Sequence, residues 1–231
     1  KIREIVPQGA LDAMTRLVLA NAIYFKGMWQ EPFKKENTKD DLFTKADGAK
    51  VPCKMMNRKG TVGYLKGDTF SAVELDYAGQ ELSMVIFLPE KHDGLPALEN
   101  RLTPDNLTAW TRRMRRQEVV LAVPRCRMTV SFDLGRTLAE MGMKDAFDPQ
   151  RADFSGMDGR RDLFISKVLH KAFVDVNEEG TEAAAATTVV ISLTAMPAEP
   201  VVFRADHPFF FLIREKASGT VLFAGRVADP G

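Results

Sequence analysis

Residues Asn177 to Thr188 read N-E-E-G-T-E-A-A-A-A-T-T, and Val189-Val190-Ile191-Ser192 follow directly. Two local signals conflict here. Four alanines and three glutamates favour helix, whereas the β-branched run from Thr187 to Ile191 favours strand. As a strand the segment sorts cleanly, because alternate side chains point to opposite faces. One face carries Thr181, Ala183, Ala185, Thr187, Val189, Ile191 and Leu193. The other carries Glu182, Ala184, Ala186, Thr188, Val190 and Ser192. The only charge after Gly180 thus falls on a face that can stay wet. The first face is small, then apolar, and can be buried. Composition alone reads as the start of an ordinary helix, and the surrounding sequence has to decide.

Outward from this stretch, strand signals dominate. Thr15 to Phe25 is an almost wholly apolar run, expected as a central strand covered on both faces and interrupted by Asn21. Phe43 to Val51 holds the turn signal Asp47-Gly48. Val62–Leu65, Phe70–Leu75, Leu82–Leu88, Glu118–Val123, Arg127–Phe132, Leu163–Val176, Val201–Arg204, Phe209–Arg214 and Val221–Val227 read as strands. Leu95–Arg116 reads as helix, with Thr103-Pro104-Asp105 opening its second piece, and Leu134–Met141 as a short helix stopped by Gly142. This is a strand-rich α+β layout, expected as one domain over residues 1–231.

Composition limits the partners. The chain has 231 residues, 45% of them hydrophobic, and a net charge of +1, so nothing calls for nucleic acid or an acidic membrane surface. No apolar run approaches the ~20 residues of a membrane span. The basic cluster Arg112, Arg113, Arg115 and Arg116 beside Trp110 reads as a solvated helix end. Cys53 and Cys126 make no disulfide framework and read as buried spectators. His92, His170 and His207 lack metal-ligand spacing, so no metal or other cofactor is expected. Cys126, His170 and Asp175 are a conceivable hydrolase set, but no spacing demands it, and the chain is read as a non-enzyme.

Several blocks together resemble the serpin family, the serine protease inhibitors. They are Leu17–Trp29 (L-V-L-A-N-A-I-Y-F-K-G-M-W), Glu81–Pro89 (E-L-S-M-V-I-F-L-P), Phe147–Met157, His170-Lys171-Ala172, Asn177–Thr188 and Phe203–Ile213 (F-R-A-D-H-P-F-F-F-L-I). The resemblance implies the serpin fold, of which this chain matches the C-terminal portion, with the N-terminal helical part expected outside it. It also implies a reactive loop over about 177–202, whose hinge comprises Glu178, Gly180, Thr181, Glu182, Ala183, Ala184, Ala185, Ala186 and Thr187. Family spacing places the cleaved bond at Thr194-Ala195, flanked by Leu193 and Met196.

In the family mechanism a target serine protease cuts that bond and forms an acyl-enzyme. The loop then enters the main sheet as a strand and traps the complex. Asn21 is costly in an apolar strand unless hydrogen-bonded. By resemblance it pairs with His170 where the sheet opens, while Arg125 and Glu178 form the ion pair at the start of the loop with Trp29 nearby.

The resemblance further implies a secreted, extracellular monomer whose off-pathway product is a loop–sheet polymer. Thr194 suits the shallow apolar pocket of elastase-like or subtilisin-like targets. A register shifted by one residue would present Leu193 to chymotrypsin-like or cysteine proteases. A non-inhibitory carrier or chaperone of the same fold is the alternative, against which the uncharged inner face of the hinge argues.

Overall fold

A computed structural model describes Ile2, residues 4–181 and residues 200–231. The chain divides into two compact units, one of residues 1–25 and 128–174, the other of residues 26–127 and 175–231.

The first unit is built on β1 (Leu17–Tyr24), which runs parallel to the first nine residues of a long strand, Ile165–Asn177. In that register Asn21 stands beside His170 and Ile23 beside Ala172. Tyr24 and Phe173 bring their ring centroids to 6.0 Å. Strand β1 departs from expectation. It was read as covered on both faces, yet Leu19 and Tyr24 are 41% and 38% exposed and Asn21 is exposed. Among the described residues β1 is hydrogen-bonded to that long strand alone, and its apolar run lies open.

The second unit is built on an eight-stranded sheet. After β2 (Gly27–Met28) come β3 (Lys39–Thr44), β4 (Lys50–Lys66), β5 (Phe70–Asp76) and β6 (Leu82–Pro89). Two helices follow, α1 (Leu95–Glu99) and α2 (Pro104–Arg113), and then β7 (Arg115–Pro124). Strand β8 (Cys126–Asp133), helices α3 (Gly135–Glu140) and α4 (Ser155–Asp158) and β9 (Ile165–Asn177), which fall largely in the first unit, lead to the two-residue β10 (Gly180–Thr181). The chain finishes with β11 (Val201–Arg204), β12 (Phe209–Glu215) and β13 (Val221–Val227). The sheet runs β11-β7-β4-β5-β6-β12-β13, with β3 added on β4. The second unit also holds β2 and β10, which belong to a five-stranded sheet with β1, β8 and β9.

Strand β6 is buried over seven of its eight residues, as its apolar run Met84–Pro89 requires of a strand covered on both faces, and the buried Ser83 hydroxyl donates to Glu74 at 2.8 Å. Helix α2 is capped by the Thr103 hydroxyl, which accepts from the Asn106 amide at 3.2 Å, with Pro104 at its first turn. It delivers Trp110 onto Phe70 and Phe87, with centroids 4.7 and 5.7 Å away. Leu65, Val85, Leu95, Leu98 and Leu212 complete that core.

Two sequence readings need correction. The helical signal through Arg116 ends at Arg113, because Arg115 and Arg116 join a ladder opposite Tyr64 and Gly63. Arg116 is then fixed by Asp76 at 3.0 Å and the Thr61 carbonyl. Likewise Val62–Leu65 is only the end of a 17-residue strand. Pro52, Asn57 and Gly60 hid it, since each lowers strand propensity.

Replacing Trp110 with alanine in the full-length protein is expected to lower stability by about 3–5 kcal/mol, as for other large aromatic-to-alanine cavities. Urea unfolding measures this, and a loss below about 1 kcal/mol would show that α2 does not carry this core.

Candidate functional site

The turn joining β9 to β10 concentrates the polar chemistry of the second unit. It is built by Asn177, whose Oδ1 accepts from the Glu179 amide at 3.0 Å, an Asx-type turn. Gly180 and Thr181 then pair antiparallel with Asn177 and Val176 on one side and with Met28 and Gly27 on the other. Gly180 has φ +142°. A Cβ there would lie 2.2 Å from the Gly27 carbonyl oxygen and 2.6 Å from Met28 Cα. Only glycine fits, for conformation and for space together.

Segment 28–33 holds this turn from one side. The Trp29 amide donates to the Glu179 carbonyl at 3.0 Å, the Phe33 amide to the Glu178 carbonyl at 2.8 Å, and Trp29 Nε1 to the Asn177 carbonyl at 3.0 Å. Trp29 itself is stacked on Tyr77 at 4.6 Å with planes 14° apart. The Gln30 amide reaches the Asp76 carbonyl and the Ala78 amide the Met28 carbonyl.

Glu178 is the buried charge of the site, 1% exposed. Arg125 meets it through Nε at 2.7 and 2.8 Å and through Nη2 at 2.5 Å, and the Thr38 hydroxyl donates at 2.5 Å. Burial by itself raises a carboxyl pKa. The hydrogen bonds from Arg125 and Thr38 and the guanidinium charge together outweigh it, so Glu178 lies below its ordinary value. Beside it Glu179 pairs with Lys35 at 2.5 Å and Asp175 with Arg127 at 2.7 Å. These pairs rim an open recess of about 470 Å³ that also touches Cys126. Burial, and less so Asp175, pushes the Cys126 thiol up to about 12. At neutral pH it is therefore protonated and a poor nucleophile, which argues against the hydrolase set.

Of the residues singled out from sequence, Trp29, Arg125, Glu178 and Gly180 meet here, and the backbone of Thr181 is part of the site. Asn21 and His170 stand side by side in the first unit. Glu182, Ala183, Ala184, Ala185, Ala186, Thr187, Leu193, Thr194, Ala195 and Met196 lie outside the described residues. Sequence reasoning missed Thr38 and Tyr77, neither of which carries a local signal.

Comparison with known proteins agrees with this layout. The family model "Serpin (serine protease inhibitor)" matches residues 1–230, and the chain belongs to the serpin family. It is 46% identical to the leukocyte elastase inhibitor of Equus caballus over the whole of this chain and 62% of that protein. It is 41% identical to the antithrombin-III of Mus musculus, again over the whole chain and over 50% of the relative. The crystal structure of uncleaved ovalbumin matches with a TM-score of 0.86 at 32% identity, covering 99% of this chain and 58% of that one. The chain thus spans about 62% of the length of the first of these relatives.

Glu178→Gln should lower the stability of the full-length protein by about 2–3 kcal/mol, the scale for breaking hydrogen bonds to a buried charge. Because Glu178 has a folded pKa below the ordinary 4.5, its contribution is present above that value and disappears as the pH falls through the folded one. Melting curves across acid pH check both points. A Gln variant as acid-labile as the parent would remove Glu178 from this role.

Proposed function

We propose that the full-length protein is a serine-type endopeptidase inhibitor that acts as a suicide substrate. Its loop is cleaved near Thr194-Ala195, and the hinge enters the sheet as a strand before the acyl-enzyme can be hydrolysed. Loop insertion of this kind is a general property of serpins, an instance of strand addition that releases stored strain, and is no result of this structure.

The observation that carries the reading is a register. Gly180 and Thr181 already occupy ladder positions between the end of β9 and β2. Continuing the β9 register residue by residue brings Ala183 to Val174, Ala185 to Ala172 and Thr187 to His170. Continuing the β2 register independently brings Thr187 to Asn21. Asn21 and His170 are themselves partners in β1 and β9. Both extrapolations therefore converge on Thr187 entering between Asn21 and His170, which is the role the family resemblance gives that pair.

The faces agree as well. Val176, Val174 and Val168 on β9 are buried and would flank Thr181, Ala183 and Val189. Asp175, Lys171 and Lys167, all half-buried, would flank Glu182, Ala186 and Val190 on the charged face, which also carries the buried Phe173. Small side chains at Ala183 and Ala185 meet no steric barrier. Thr194 as the residue before the cut fits an apolar, shallow primary pocket, in keeping with a relative named for leukocyte elastase. Secretion belongs to the same reading.

Incubation of the full-length protein with elastase or subtilisin is expected to give an SDS-resistant complex near unit stoichiometry, and mass spectrometry a cut after Thr194. Ala183→Arg or Ala185→Pro should turn most turnovers into simple cleavage, because a buried charge or a missing amide delays insertion. Clean cleavage of the parent without complex would instead mark a non-inhibitory serpin. Undiminished complex formation by both variants would contradict insertion as the trapping step.

A further inference from the structure

Strand β11 is only four residues long, pairs among the described residues with β7 alone, and leaves Val202 64% exposed. Such an edge is easily lost. What secures it lies just after its last residue. Arg204 binds Asp206 through Nε at 2.8 Å and reaches Asp41 on β3 with the other side of its guanidinium. The Ala205 amide donates to the Ala122 carbonyl, and the Thr44 amide donates to the Asp206 carbonyl, both at 2.8 Å. His207 then faces acceptors with both ring nitrogens. Nδ1 lies 2.9 Å from Asp206 Oδ1, and Nε2 lies 2.7 Å from the Pro89 carbonyl at the end of β6.

We propose that His207 is a proton-operated clip on β11: doubly protonated, it ties the strand's exit to β6, and on losing one proton it lets that exit go. The carbonyl of Pro89 can only accept, and so can the Asp206 carboxylate. A neutral imidazole has one N–H and one lone pair. Either tautomer therefore sets two acceptors face to face at one end of the ring. The bond to Asp206 is charge-assisted and the stronger of the two, so the neutral ring keeps Nδ1–H there and gives up Pro89. That is the only one of His207's two ring bonds that joins it to another element.

The surrounding charges favour the doubly protonated state. Burial lowers the His207 pKa, but the bonds to Asp206 and Pro89 and the carboxylate charge outweigh it, and the net shift is upward from 6.5. Asp206 is held below its ordinary value by His207 and Arg204 in spite of its own burial. The other charged and titratable groups around them are Asp41 on β3, Cys53 on β4, and Glu90, Lys91, His92 and Asp93 in the turn after β6. A recess of about 460 Å³ between that turn and His207 gives solvent access. A raised folded pKa contributes stability that is complete below 6.5 and disappears as the pH rises through the folded value. The clip thus opens on the alkaline side.

The test is an imidazole NMR titration of the full-length protein together with hydrogen exchange of residues 201–206. The His207 midpoint is expected above 6.5, and Asp206→Asn should lower it. Exchange protection of Val201 to Asp206, corrected for intrinsic rates, should drop roughly 10-fold between one pH unit below the measured midpoint and one above, the scale of one hydrogen bond to a charged group. His207→Gln, which keeps a donor that does not titrate, should abolish that drop. A midpoint at or below 6.5, a midpoint unmoved by Asp206→Asn, or protection equal on both sides would overturn the proposal. Should the Gln variant fail to fold, the titration and exchange of the parent protein still decide it.

Discussion

A carboxylate at 1% exposure organises the base of the loop. Leaving Glu178 charged in that position without partners would cost far more than a small domain can spare. Its environment supplies four short contacts, three from Arg125 and one from Thr38. Meeting that demand fixes where β7 ends, because Arg125 directly follows Pro124. It also fixes the course of segment 28–33, whose amides take up the carbonyls of Glu178 and Glu179. The turn that results points Gly180 and Thr181 along β9 with a single register.

That register turns a sequence peculiarity into a mechanical statement. A hinge with no charge on its inner face can extend β10 only by displacing β1 from β9 and taking ladder bonds on both sides. One ladder is lost and two are gained. At a net ~1 kcal/mol per hydrogen bond, a strand of about ten residues gains on the order of 10 kcal/mol. This is comparable with the whole folding stability of an ordinary domain, ~5–15 kcal/mol. In the proposed mechanism a loop held outside the sheet is kept there by a barrier, as kinetically stable proteins are. In the proposed mechanism Asn21 and His170, partners in β1 and β9, give that barrier a polar component.

Much of this was legible in the sequence because its signals are local. The Thr103-Pro104 cap, the Asp47-Gly48 turn and the apolar run of β6 each declare themselves within a few residues. Asn21 stood out as a polar residue interrupting an apolar run. Gly180 was placed in the hinge by resemblance, yet its tight constraint, the close approach of the Gly27 and Met28 backbone, comes from a strand about 150 positions away in the chain and leaves no local trace. Thr38 and Tyr77 were invisible for the same reason. The reading of β1 as fully covered failed because apolar composition reports what a strand can bury, while coverage depends on its neighbours. The length of β4 was missed because cross-strand pairing with β3, β5 and β7 overrides the low propensity of Pro52, Asn57 and Gly60.

The central claim is that the hinge lies outside its lowest-energy position until the loop is cut. Differential scanning calorimetry of the full-length protein, intact and after a single cut in the loop, tests it most directly. The account predicts a large rise in melting temperature for the cut form, tens of degrees if the gain is on the order of 10 kcal/mol. Equal or lower melting of the cut form would contradict it.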